Sequence, residues 1–383
     1  MKVGTEPLLG AGANGDAVTS EIEPALDTPQ VAPPTRRRGL SRVQFIGIGL
    51  LLLLAALPIP FGDFGFFVGQ YALIYAILGM SVVVVTGYAG LISLMPYSFA
   101  GIGAMTTGVA MASWGWPFWL AALLAAVATV PVAVLVGISS VRLKGLYLAI
   151  ATLTFSNALG ETLFKWGSFT GGQSGWSTSR PVVGPIDFNS DISFYLLCLV
   201  VVFALLWMIE GLRTSRIGRA MLAVRDNELE AQALGINVYK TKLTAFVLGG
   251  MVAGLGGAFL AALVQLVTPT GFQSPIAEAT SILLVTLVAI GGMDRAIGAF
   301  FGAVSLVVQQ QIFQGAEFFY AFVGIYAAAV LILFLMFRPG GLVQVGRIQL
   351  DLIRSRPVFG MSVVIAIVAA NVGVAWLFVS LSS

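Results

Sequence analysis

The chain has 383 residues, of which 58% are hydrophobic and only 10% charged, with a mean hydropathy of +0.96. A soluble domain carries about 25% charged residues, so a water-soluble fold of this length is excluded and lipid must cover much of the surface. A net charge of +3 calls for no nucleic-acid partner, and a single cysteine (Cys198) without any histidine excludes disulfide frameworks, Cys/His zinc sites and histidine acid–base catalysis.

Residues 1–40 lack periodicity and hold few large apolar side chains, and are expected to form a disordered cytoplasmic tail. The tail closes on Arg36, Arg37 and Arg38. It is not a secretory signal, because its charged region is too long and no small-residue cleavage site follows the next apolar run.

Apolar stretches then lie near 43–60, 68–86, 97–114, 117–140, 145–165, 192–211, 241–263, 278–293, 296–314, 318–337 and 358–380. The expected fold class is all-α: a polytopic integral membrane protein of about ten or eleven transmembrane helices, most near the ~20 residues that a crossing needs. The stretches 97–114, 145–165 and 278–293 are short, glycine-interrupted or polar, which makes them candidates for broken or re-entrant segments. With the N-terminus inside and one crossing per stretch, every Lys and Arg except Lys165 and Arg180 falls on an inner segment, as the positive-inside rule requires. Three regions are expected: the tail 1–40, a membrane domain 41–345, and 346–383 as a basic linker with one more transmembrane helix.

Four segments carry functional signals. Gly87 to Ala104 is dense in Gly and Pro and contains Ser93, Pro96 and Ser98. Such a segment either packs helices or breaks one beside a cavity. Arg142 to Leu153, with Thr152, opens the stretch 145–165, and Thr170-Gly171-Gly172-Gln173-Ser174-Gly175 follows it outside. The outer loop 166–191 also holds Trp166 and Trp176, a plausible interfacial surface. The inner loop 212–240 suits a short amphipathic helix, with Ala220, Val224, Ala231 and Leu234 on one face and Arg225, Asp226 and Glu228 more exposed. Its mixed charge fits a partner's groove better than lipid. Among embedded acids, Glu278 stands at a helix N-terminus, Glu161 has Lys165 one turn later, and Glu210 and Glu317 lie near predicted ends. The pathway candidates are Ser93, Pro96, Ser98, Thr152 and Glu278.

In this order the segments resemble the LivM-like permeases of branched-chain amino acid ABC importers. The matches read G-Y-A-G-x-x-S-L from Gly87, R-L-x-G-x-Y-x-A-I-x-T-L from Arg142, T-G-G-x-x-G from Thr170, S-R-I-G-R-A-x-x-A-x-R-D-N-E-x-x-A-x-x-L-G-I-N from Ser215, and a closing F-R-P-x-G-L from Phe337. The resemblance covers roughly 70–345 and implies a non-catalytic subunit with no cofactor. It implies a second related permease, two cytoplasmic ATPase subunits and an extracytoplasmic substrate-binding protein as partners. It also gives Arg225, Asp226, Asn227, Glu230, Ala231 and Gly235 the role of docking on the ATPase. Leu91, Met95 and Pro96 depart from the family's expected Gln, Gly and His, which leaves urea or short amides as alternative cargo. An ion-coupled secondary carrier is the rival from another class. ATP hydrolysis by this chain would need G-x-x-x-x-G-K-[ST], and the nearest approach, Gly235 to Thr241, has Tyr239 in place of the second glycine.

Overall fold

A computed structural model of the chain describes residues 62–140, 143, 145–183 and 186–314. The tail, the apolar runs at 43–60, 318–337 and 358–380, Glu317 and the Phe337–Leu342 motif lie outside the described residues.

The described residues are almost wholly helical. Helix α1 (Gly62–Val82) continues as a π-turn, Val83–Tyr88. After a break come α2 (Pro96–Ala112), α3 (Phe118–Ser140) and α4 (Leu146–Glu161). A short helix α5 (Gly167–Thr170) lies in the loop before α6 (Asp191–Thr214). Then follow α7 (Arg216–Asp226), α8 (Glu228–Ala233), α9 (Val238–Val264), α10 (Ile276–Gly291) and α11 (Ala296–Gln314).

Among the described residues four helices are long and apolar enough to cross a membrane: Phe64–Tyr88, α3, α6 and α9. At 1.5 Å per residue, α9 spans about 40 Å, ample for ~30 Å of hydrocarbon. The three doubtful stretches are the short ones: α2 has 17 residues, and α4 and α10 have 16 each. Helices α10 and α11 pass the same test only as a pair, bent by 110° across Gly292–Arg295.

Burial separates the centre from the rim. The most apolar parts of Phe64–Tyr88 and α9 are 83% and 72% buried, against 39% for α3 and α6. Helix α9 is the hub, and its glycines are the reason. Gly249 faces Val85 of the π-turn, Gly256 faces Leu78 of α1, Gly257 faces the Ala100 carbonyl of α2, and Gly254 faces the Ala125 carbonyl of α3. Small residues permit this because lipid supplies no hydrophobic drive between helices, so close packing must hold them. The rim helices turn Leu123, Leu135, Val200 and Trp207 outward, the apolar exterior that lipid demands.

Contacts sort the connecting segments into two faces. On one, here the loop face, the break after Tyr88, the segment 215–237 and the turn 292–295 meet through Arg225, Gly87 and Asp294. On the other, the cap face, strand Trp176–Ser177 pairs with Leu266–Val267. There Phe164 stacks near Phe272 at 6.1 Å, and Gln70 Nε2 donates to the Asp191 carbonyl at 2.8 Å. Trp176 is not an interfacial anchor: its ring lies against Gly108 of α2, and its Nε1 donates to the Phe169 carbonyl at 3.0 Å. Trp166, 62% exposed, does point outward. Because the sole cysteine is fully buried, single cysteines in a Cys198→Ser background give a clean topology test. Those at 216–235 and 168–179 are expected to react with an impermeant thiol reagent from opposite sides of sealed vesicles; labelling of both from one side would refute the sorting.

Candidate functional site

The loop between α6 and α9 is built by its own motif. Ser215 caps α7, accepting from Gly218 N at 3.2 Å. Asn227 ends α7 and starts α8: its Oδ1 accepts from Leu229 N at 3.0 Å, and its Nδ2 donates to Glu230 Oε1 at 2.7 Å. This is the N-cap and N3 pairing that satisfies orphan helix-end groups. Gly235 takes φ +81° while Ile236 N reaches back to the Ala231 carbonyl at 3.0 Å, the left-handed stop that favours glycine. Asn237 then caps α9 through Lys240 N at 3.0 Å.

Packing and charge fix the unit to the bundle. Val224, Ala231 and Val238 form a small buried core with Ala223 and Ile236 against it. Glu228 and Lys242 pair at 2.7 Å, with the Lys242 side chain 2% exposed. Of the residues carried over by resemblance, Asn227, Ala231 and Gly235 thus have clear scaffolding duties, and Glu230 braces the cap while remaining exposed. Asp226 is exposed. Arg225 turns inward, donating to the Gly87 carbonyl and to Asp294 Oδ1 at 3.0 Å.

One expectation fails. Leu234 was placed with Val224 and Ala231 on the inner face, yet it is 79% exposed, and Leu229 is 75% exposed. The helical period does not run through Asn227, where the chain restarts in an extended conformation, φ −155° and ψ 113°. These two leucines are the surface features that the sequence reading missed. Two bulky apolar side chains in a six-residue capped helix and its stop were the available signal.

The pathway candidates mostly gather at the start of α2. Thr152 of α4 accepts from Leu94 N at 3.0 Å, Ser98 and Ser156 hydroxyls share a hydrogen bond at 2.5 Å, and Tyr97 N donates to Ser281 Oγ at 3.4 Å. Hydroxyls from α4 and α10 therefore satisfy backbone left open where the helix is broken. Ser93 and Pro96 line a cavity of about 10 Å³ with Ser81, Thr86, Phe99 and Gly249, the room of one water and not of an amino acid. The helices at this point are closed on one another.

The acids are dispersed. Glu278 accepts from Ser274 Oγ at 2.7 Å, one turn from Ser281 towards the cap face. Glu161 pairs with Lys165 on an exposed edge of the cap face. Glu210 has a buried Oε1 without a hydrogen-bond partner among the described residues. Among the described residues no three Asp, Glu or Cys side chains gather as a metal site.

Comparison with known proteins gives the family. The family of permease components of the branched-chain amino acid transport system matches residues 66–339. The high-affinity branched-chain amino acid transport system permease protein LivM of Salmonella typhimurium is 30% identical over 329 residues, covering 80% of this chain and 76% of the relative. Its Escherichia coli counterpart is 29% identical over the same shares. A ribose import permease, RbsC of Haemophilus influenzae, is 28% identical over 141 residues, 33% of this chain and 43% of its own length. No solved structure matches the chain. Glycine-welded helices, a break between α1 and α2, and a self-capped loop on the face opposite the cap all lie inside the matched span, and the chain belongs to the branched-chain amino acid transport permease family.

Proposed function

We propose that the chain is one of two transmembrane subunits of an ATP-driven importer in a bacterial cytoplasmic (inner) membrane, with its N-terminus inside. A second, related permease, two cytoplasmic ATPase subunits and an extracytoplasmic binding protein complete the assembly, and the cargo is a branched-chain or other small amino acid. The chain supplies passage, gates and a docking surface, and ATP is hydrolysed by its partners. The relatives with the longest matches carry branched-chain amino acid names, which supports this cargo above the sugar of the shorter match. The dispersed pairing of Glu161 and Glu278 disfavours an ion-coupled carrier, which needs acids converging on one relay.

The observation that carries the reading is the loop surface. Leu229 and Leu234 stand out, 75% and 79% exposed, on a unit held by caps, a small core and a half-buried ion pair. An element that offers two apolar knobs around an acid suits a partner's groove. Burial of each leucine contributes about 1.5–3 kcal/mol. Leu229→Asp with Leu234→Asp is therefore expected to weaken capture of the ATPase subunits on the order of 100-fold or more while the chain still inserts. Undiminished ATPase capture by the double variant would refute the docking assignment. ATP turnover of the purified wild-type assembly that ignores the loaded binding protein would refute the importer itself.

A further inference from the structure

The loop and the bundle meet through one guanidinium. Arg225, in the last turn of α7, donates from Nη1 to the Gly87 carbonyl and from Nη2 to Asp294 Oδ1 at 3.0 Å, with its side chain 35% exposed. Gly87 belongs to the π-turn that ends α1. In an α-helix its carbonyl would accept from Leu91 N, but Leu91 N turns to the Val85 carbonyl at 3.1 Å. Because the turn ends at Tyr88, the Gly87 carbonyl is one of the acceptors left open at a helix end, at the point where the guanidinium arrives, and π-turns often occur at functional sites. Asp294 sits in the turn between α10 and α11. The aliphatic stem of Arg225 lies over Gly90, where an added Cβ would meet its Cγ at 3.0 Å.

Beside this contact the polar groups are under-satisfied. Glu210 Oε1 and Arg295 Nε are buried without hydrogen-bond partners among the described residues, and the Tyr88 hydroxyl, on a fully buried side chain, has the Ala296 backbone as its near polar contact. Glu210, Arg213 and Arg295 are electrostatic neighbours of that hydroxyl. Unmet buried groups cost free energy in this arrangement, which lowers the relative cost of a second arrangement that pairs them. An element with two nearly balanced states is what coupling between distant sites requires.

We infer that Arg225 is a latch: it transmits displacement of the docked loop to the π-turn of α1 and to the α10–α11 turn. The inference rests on the docking role of the loop proposed above, and gives Arg225 a positioning role rather than a contact with the ATPase. Two divergent acceptors suit the planar fork of arginine and not the single point charge of lysine.

The test uses the complete importer in proteoliposomes with its binding protein and amino-acid cargo. Arg225→Gln is expected to copurify with the ATPase subunits as the wild type does. Stimulation of ATP turnover by loaded binding protein should fall towards none, and uptake by about thirtyfold or more, the scale of losing charged contacts that are partly buried. Arg225→Lys should recover only part. Asp294→Asn, which alters an exposed carboxylate and one of the two bonds, should lose several-fold of the stimulation, and it carries the test if Arg225→Gln fails to insert. Normal stimulation and uptake in Arg225→Gln, or in Asp294→Asn in that case, overturns the latch. Loss of ATPase copurification in Arg225→Gln also overturns it, because Arg225 would then be a docking residue. Failure of the underlying docking reading shows separately, in Leu229→Asp/Leu234→Asp chains that still capture the ATPase.

Discussion

Glu230→Arg is expected to leave the chain inserted and to abolish cargo-stimulated ATP turnover in the assembled importer. Glu230 is exposed on the loop face, between the outward leucines, and its carboxylate touches only the Asn227 amide among the hydrogen bonds seen at 2.7 Å. Two effects of the substitution must be separated. Loss of the cap pairing costs about 0.5–2 kcal/mol, while the Glu228–Lys242 pair and the small core that hold the loop to the bundle are untouched. Loss of a charged partner at an interface costs about 2–5 kcal/mol, and reversal adds repulsion. The second effect dominates. Glu230→Gln keeps an acceptor for Asn227 but removes the charge, so it should show most of the coupling loss with little change in the loop. Cargo loading of the binding protein, on the other side of the membrane, should not change. Wild-type turnover and uptake in Glu230→Arg would refute a docking role for this residue.

The parts of this architecture that depend on local pattern were legible before any coordinates. Apolar runs located the helices, and the Gly/Pro density after Gly87 located the break between α1 and α2. The pairing of Glu161 with Lys165 followed from i, i+4 spacing on a helix. The loop's amphipathic character was also legible, but its faces were not drawn correctly, because a continuous period was carried across Asn227. The signal for a restart was present: Asn227 followed three residues later by Glu230 is a capping pattern, and reading it would have released Leu234 from the inner face.

The remaining features depend on distant partners. Thr152 meets Leu94 N across 58 residues, Ser281 meets Tyr97 N across 184, and Arg225 meets Gly87 across 138. Nothing in a one-dimensional period selects these acceptors. They exist because a broken helix leaves backbone groups that lipid cannot satisfy, and the tertiary fold decides which hydroxyl or guanidinium reaches them. Arg225 is the sharpest case. Its place in an exposed, charged motif suggests an outward residue, while the Gly87 carbonyl left open at the helix end draws it in.

The largest stability effect is expected at Gly257, in the C-terminal third of the hub helix. A Cβ there would overlap the Ala100 carbonyl of α2, and one on Gly103 would overlap the Gly254 carbonyl of α9. The two helices thus touch backbone to backbone at two successive points. The obstacle in each case is main chain, which has no rotamer to yield, so α2 and α9 would have to separate. Overpacking a tight core costs about 1–3 kcal/mol, occasionally more. Separation of this pair would also part the dispersion contacts on which membrane helices chiefly rely. It would pull Tyr97 and Ser98 away from Ser281 and Ser156, exposing polar groups that lipid cannot satisfy. Gly257→Val should therefore yield little monodisperse protein after detergent extraction, and Gly257→Ala should already be strongly impaired because the clash begins at Cβ. Gly211 of α6 is the control: nothing lies within 4 Å of an added Cβ there, and Gly211→Ala should be neutral or stabilising by about 0.5–1 kcal/mol through helix propensity. Size-exclusion profiles and thermal aggregation midpoints of the three variants decide the matter, and a Gly257→Val chain that elutes and melts like the wild type would contradict the close approach of α2 to α9.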